Sequence, residues 1–247
     1  MTSTQTLPPW TCPFCALLCD RFGVNAGETL TPAGTSCPRA IRSLAQFSNR
    51  PADAAPLLNG RPVETEAALD VAAQWLTAAR QPLFGGMATD VAGTRALYRL
   101  ANACGAIVDH AHGRSLMHGL TAMQDRGSFT TTLAEIRGRA DVIVCIGSMP
   151  SEQHPEFFSR CGIGAVASEA GPAQRDIVFV GCDVDPAVAK ATSIAASTIR
   201  LQGDLYDTLA TLNALLSRKP PRTADPALKA LAAQLLAARY AVLVWTP

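Results

Sequence analysis

No apolar run in this sequence approaches the about 18 residues that a membrane-spanning helix requires, so no transmembrane segment is expected. The N-terminus lacks the basic patch and apolar stretch of a secretory leader, which makes the cytoplasm the expected compartment. An excess of either charge is missing too. The 21 Lys and Arg against 20 Asp and Glu leave a net charge of +1, with no electrostatic reason to expect nucleic acid or a membrane surface as partner. Several catalytic signatures are absent: no G-x-x-x-x-G-K-[ST], which excludes a P-loop nucleoside triphosphatase, no G-x-S-x-G elbow, and no complete G-x-G-x-x-G. Internal repeats and low-complexity segments are absent as well.

Cysteine, in contrast, is plentiful, with eight residues in 247. Cys12, Cys15 and Cys19 lie within Thr11-Cys-Pro-Phe-Cys-Ala-Leu-Leu-Cys-Asp20, and Cys37 follows in Ser36-Cys-Pro-Arg39, giving C-x2-C-x3-C-x17-C. A C-x2-C step lets one turn aim two sulfurs at a metal about 2.3 Å away. Four thiolates is also the ligand count of a [4Fe–4S] cluster, in whose loops proline stands beside ligand cysteines, as Pro13 and Pro38 do here. Four free thiols or two disulfides are the alternatives. In a reducing compartment the clustering favours a metal site or its remnant. Cys12, Cys15, Cys19 and Cys37 are therefore the candidate metal ligands, for a [4Fe–4S] cluster, for zinc, or as a vestige of either. Cys104, Cys145, Cys161 and Cys182 are scattered, and Cys145 reads as a small hydrophobe in a buried strand.

The element pattern predicts an α/β fold: a small Cys-rich N-terminal module over 1–50, a doubly wound, mainly parallel α/β Rossmann-like region over 51–218, and a linker, helix and strand over 219–247. Asn59-Gly60 marks a hairpin turn. Apolar residues at i, i+3 and i+4 predict helices over 64–80, 91–102, 132–138, 205–216 and 226–239, with shorter ones over 39–44, 155–162 and 187–191. Segments 83–85, 106–108, 142–146 and 177–180 are expected as central parallel strands with helices on both faces, and 198–201 as a further strand. The last apolar strand, 240–245, either opens a further α/β unit or completes a sheet built earlier.

Gly85-Gly86 between strand and helix reads as packing rather than as a phosphate cradle. His110, His112 and His118 are read as lying on one loop after a strand end, without the partners a zinc site needs, and His154 follows another strand end.

Together, Cys12-x2-Cys15-x3-Cys19…Cys37, Pro82-Leu-Phe-Gly85, Ala140-Asp-Val-Ile-Val-Cys-Ile-Gly-Ser-Met-Pro150…His154-Pro155 and Asp183-Val-Asp-Pro186 resemble the molybdopterin and tungstopterin oxidoreductases. The spacing of the cysteines, with Asp109…His118-Gly119, is most similar to the B subunit of formylmethanofuran dehydrogenase. That resemblance implies a metal-ligating Cys or selenocysteine just before His118-Gly119, where this chain has Met117. A neutral thioether does not replace an anionic thiolate. The resemblance therefore implies a lost redox site, no tungsten or molybdenum pterin, and Met117 as a core side chain. Bacterial formyltransferase/hydrolase complexes resemble the dehydrogenase without its redox step. The likeness implies a non-redox structural subunit, with the complex's other subunits as partners. They would pass a formyl group from tetrahydromethanopterin to a methanofuran-type carrier and release formate. A redox-active pterin and iron–sulfur subunit of the dehydrogenase is the alternative.

Overall fold

The computed structural model describes residues 5–6, 10–27, 29–48, 55–87, 89–164, 171–191, 194–201, 203–217 and 223–245. In chain order it begins with β1 (Gln5–Thr6), β2 (Gly23–Ala26), β3 (Leu30–Ala33) and α1 (Pro38–Ser48), then β4 (Leu57–Leu58), β5 (Arg61–Pro62), α2 (Thr65–Ala78), β6 (Leu83–Phe84), α3 (Val91–Cys104), β7 (Ile107–Val108) and α4 (Gly113–Arg126). It continues with α5 (Leu133–Arg139), β8 (Val142–Ile146), α6 (Pro150–Gln153), α7 (Phe157–Arg160), β9 (Asp176–Val180), α8 (Pro186–Ala189), β10 (Ala195–Ile199), α9 (Leu205–Leu216), α10 (Pro226–Ala237) and β11 (Ala241–Trp245). Two compact units result. One joins Met1–Asn49 to Thr130–Thr246, and the other is Arg50–Phe129.

The first unit is built on a four-stranded parallel sheet of order β10-β9-β8-β11. Of the two readings of the last strand, the structure takes the second: Ala241–Trp245 runs in register beside Val142–Ile146 and completes the earlier sheet. Strand periodicity sorts the core into two faces. Ile143, Cys145, Ile177, Phe179 and Val242 pack on one side with Ile136, Phe157, Phe158 and Val188 from the short helices. Val142, Val144, Val178 and Val180 pack on the other with Leu212, Leu228, Leu231 and Ala232 of α9 and α10. Apolar residues on both faces are what made these strands read as continuous hydrophobic runs. Several helix starts are capped by side chains. Asp204 accepts from the Asp207 amide at 2.7 Å, and Thr132 with Glu135 forms a reciprocal capping box at α5.

Four expectations are corrected. Strands β6 and β7 do not join the main sheet. They form their own parallel pair in the second unit, only two residues long on each side, Leu83–Phe84 against Ile107–Val108. The helix expected over 155–162 is shortened to α7, Phe157–Arg160, because a separate turn of helix, α6, starts at Pro150 before it and is ended by His154. The strand expected at 198–201 begins at Ala195, because small residues on an edge strand carry little apolar signal. A helix, α4, stands where the sequence suggested a loop, so Met117 and His118 are helical. Its stripe is interrupted by Arg114, His118 and Gln124, which hid the period.

In the second unit the hairpin closes through Asn59 (φ 51°) and Gly60 (φ 77°), the doubly left-handed pair of a two-residue turn. Helix α3 is capped by Asp90 at its start and stops at Gly105, whose φ of 66° is open to glycine without strain. Among its described residues only Pro82 and Ala101 are buried, while Leu69, Trp75, Leu83, Tyr98, Leu116 and Met123 remain exposed.

Candidate functional site

The N-terminal module is a three-stranded antiparallel sheet, β1-β2-β3, followed by α1. Its core is Cys12, Phe22, Cys37 and Ala40, with Trp10, Phe14 and Cys19 packed on it. Trp10 meets Phe14 and Phe22 edge-on, with centroids 5.8 and 6.0 Å apart. The cysteine loop folds back on itself. The Cys12 amide donates to the Cys19 carbonyl at 2.8 Å, and the Leu18 amide to the Cys15 carbonyl at 3.2 Å. Leu18 closes this turn with φ 44°, a conformation that non-glycine residues seldom adopt. Cys37 sits just before α1, its amide held by Thr35 Oγ1 at 3.2 Å and its carbonyl accepting from Ile41.

These turns bring all four predicted cysteines to the wall of one cavity of about 20 Å³. Phe14, Leu17, Phe22 and Ala40 supply its apolar wall, and Arg39, Pro155 and Glu156 close it. Burial raises the Cys12 thiol above its ordinary value, and the neighbouring Cys15, Cys19 and Cys37 push it further the same way. At neutral pH Cys12 is therefore a thiol, and only a cation placed among the four sulfurs would favour its thiolate. The donor set suits a soft metal or an iron–sulfur cluster in kind. Its present form is tighter: a 20 Å³ space is about what one water needs. Among the described residues no group of three or more His, Cys, Asp or Glu side chains forms a site that could hold a metal ion.

The module is clasped to the sheet from the carboxyl ends of the strands. Arg39 Nη1 donates to the Gln153 carbonyl at 2.6 Å, and Leu17 packs against the core that contains Phe157 and Phe158. His154 Nδ1 is buried with no partner, and burial together with the Arg39 charge lowers the His154 pKa. Next to it lies a contact the sequence reading missed. Asp185, fully buried, accepts from the Ser151 amide at 2.9 Å, the Ser151 hydroxyl at 2.5 Å and the Ala187 amide at 2.9 Å, tying α6 to α8. The Asp-Val-Asp-Pro turn was its signal. Arg175, also missed, is buried and donates to the carbonyls of Cys161 and Arg137. Cys145 and Cys161 are core thiols pushed up to about 12 by burial, and Cys182 is raised by burial as well, so none is a ready nucleophile.

The second unit holds the other candidates. His110 Nδ1 accepts from the His112 amide at 3.2 Å, and His112 precedes α4 as its N-cap. His118 lies along that helix. Beyond Gly85-Gly86, the first turn of α3 is occupied by Asp90, which accepts from the Gly93 amide at 2.6 Å and sets negative charge where a phosphate would bind. Met117 is not a core residue as expected: 59% of it is exposed, on a helix with no buried residue among those described.

A parallel α/β unit with a cysteine-lined N-terminal module defines the class of protein. No family model matches the sequence. Three curated proteins that match are B subunits. The B subunit of the formyltransferase/hydrolase complex Fhc of Methylorubrum extorquens is 31% identical over 191 residues, 77% of this chain and 50% of that protein. The B subunit of the tungsten-containing formylmethanofuran dehydrogenase 2 of Methanocaldococcus jannaschii is 31% identical over 68% of this chain and 41% of its own length. That of Methanococcus maripaludis is 32% identical over 62% and 37%. Among solved structures, the formyltransferase/hydrolase complex FhcABCD of Methylorubrum extorquens, crystallised with methylofuran, superposes with a TM-score of 0.60 at 31% identity, over 74% of this chain and 50% of that one. Over the matched span the chain is a relative of these B subunits. It spans about half the length of the curated relatives it matches.

Proposed function

We propose that this chain is a non-redox, structural B-type subunit of a formyltransferase/hydrolase complex acting in one-carbon metabolism. Partner subunits would take the formyl group of formyl-tetrahydromethanopterin onto a methanofuran-type carrier and release it as formate, in the cytoplasm. The observation that carries this reading is the 31% identity to the B subunit of Fhc over 191 residues, joined by a TM-score of 0.60 to the methylofuran-bound complex. Met117 supports it: the resemblance puts a metal-binding thiolate there, and neither Leu116 nor His118 supplies one. The described residues include no helix long and apolar enough to cross a membrane.

Within this reading Cys12, Cys15, Cys19 and Cys37 are the remnant of a four-thiolate site. They would hold a [4Fe–4S] cluster or zinc if the cavity opened around it. Such a group, when bound, would cross-link the module in place of part of its small apolar core. The chain's own residues supply the rest: Arg39 and Leu17 hold the module to the sheet, and Asp185 fixes the α6–α8 turn beneath it.

A second reading, a redox-active pterin and iron–sulfur subunit of formylmethanofuran dehydrogenase, is favoured by the equal 31% identity to the tungsten-containing enzyme's B subunit. Co-purification decides between them. The chain, affinity-tagged in its source cells, is expected to bring down a complex that releases formate from formyl-tetrahydromethanopterin without reducing viologen dyes. A complex that reduces viologen with the formylated carrier would establish the dehydrogenase instead, and a chain that enters no complex would defeat both.

A further inference from the structure

Beside the cysteine cavity two short arms of chain run antiparallel. The Trp10 amide donates to the Phe22 carbonyl at 3.3 Å and the Cys12 amide to the Cys19 carbonyl at 2.8 Å, so residues 13–18 form the loop between the arms. A backbone hydrogen bond across such a pair sets the two Cα atoms about 5.5 Å apart. That separation lies inside the range of about 4.4–6.8 Å that a disulfide spans. The two side chains share one place as well. Cys12 belongs to the small buried core of the module, and Cys19 packs against that core. Both line the same cavity of about 20 Å³, a space with room for little beyond one water. Among the described residues no backbone hydrogen bond joins Cys15 or Cys37 to another cysteine: the Cys15 carbonyl accepts from Leu18, and the Cys37 carbonyl from Ile41. Nor do three or more of these side chains, among the described residues, gather into a metal site. The pair Cys12 and Cys19 is the one the backbone holds together.

We propose that Cys12 and Cys19 form a reversible thiol–disulfide pair, oxidised by a small-molecule disulfide of the glutathione type. Exposure sets the order of the steps. Cys19 is half-buried and meets the oxidant first, while Cys12 is 6% exposed and is reached from within the module. The Cys19 sulfur, as thiolate, attacks one sulfur of the oxidant, whose S–S bond breaks and releases one small thiol. The Cys12 sulfur then attacks that of Cys19, gives up its proton to solvent and displaces the second small thiol. In all, the two cysteines lose two electrons and two protons, and the oxidant gains them as two thiols. The bond acts as a switch in the module. With Cys12 and Cys19 linked, two of the four candidate thiolates remain, so the oxidised module cannot assemble a four-thiolate centre. The proposal rests on the reading of the four cysteines as a remnant site and not on formyl transfer.

The purified full chain, reduced and treated with a chelator, is incubated with glutathione disulfide, and its links are read by peptide mass spectrometry. Free thiols are expected to fall from eight to six, with one bond between Cys12 and Cys19 that dithiothreitol reverses. Cys37→Ser and Cys15→Ser are each expected to keep that bond, and Cys19→Ser to lose no thiol to a new one. Circular dichroism checks that the variants keep the fold, and the bond mapped in the unsubstituted chain decides the proposal where one of them does not. A bond from Cys12 or Cys19 to Cys15 or Cys37, glutathione retained on Cys19 without the second step, or no reaction would each overturn the proposal. Elemental analysis of the chain before chelation is read separately. Stoichiometric iron or zinc there counts against the remnant reading alone, because the Cys12–Cys19 bond is sought after the metal has been removed.

Discussion

Replacing Asp185 by alanine is expected to cost about 3–5 kcal/mol of unfolding free energy, because it removes a buried acceptor and strands the part-buried amide donors of Ser151 and Ala187. The carboxylate is fully buried and accepts three hydrogen bonds of 2.5 to 2.9 Å. Each bond to a charged acceptor is worth about 1.5–3 kcal/mol, less than additively, and the vacated space is not refilled by the rigid Pro186 beside it. Ser151→Ala removes one of the three and is expected to cost about 1–2 kcal/mol. The double variant should show a coupling of about 1 kcal/mol or more. Urea unfolding of all four proteins, with m-values compared to verify that the compactness of the states is unchanged, measures these terms. An Asp185→Ala cost below about 1 kcal/mol, or strict additivity with Ser151→Ala, would refute the role given to this turn.

Cys145 and Cys161, with pKa values pushed up to about 12 from 9.0, keep their protons in the folded state after the unfolded chain has lost them. Stability is thus intact below pH 9.0 and falls between 9.0 and about 12, by up to about 1.4 kcal/mol per pH unit for each thiol, and Cys145→Ala should flatten that alkaline slope in urea titrations. His154 titrates in the other direction. Its lowered pKa means the unfolded chain takes the proton first, so stability present above pH 6.5 declines below it, and His154→Phe is expected to remove that acid slope. Met117→Ala, at a side chain 59% exposed, should change stability by no more than about 0.5 kcal/mol and leave formyl transfer by the complex unaltered, as thermal melts and formate release will record.

The parts of this structure legible in the sequence are those whose signal is local. Val142–Ile146 and Asp176–Val180 are apolar on both faces, and both faces are indeed covered. Helix α9 was bounded correctly because Asp204 caps it and a polar run follows. What escaped depends on distant partners. Nothing in Leu83–Phe84 or Ile107–Val108 says that they pair with each other apart from the main sheet. Helix α4 was hidden by polar residues that a solvent-facing helix tolerates, and Met117 was expected in a core because methionine is usually found there. For the candidate site, C-x2-C-x3-C-x17-C marked the cysteines that share one cavity. Arg39, Pro155 and Glu156, which complete its wall, come from segments with no cysteine signal of their own, and the Asp185 clasp joins residues 34 apart in sequence.

The central claim is that redox chemistry has left this subunit while its scaffold remains. Elemental analysis for tungsten and molybdenum on the complex purified anaerobically through this chain, with formate release measured on the same sample, tests it most directly. The account predicts full formyl transfer and hydrolysis with neither metal above trace levels. Stoichiometric tungsten or molybdenum, accompanied by viologen reduction with the formylated carrier, would contradict it.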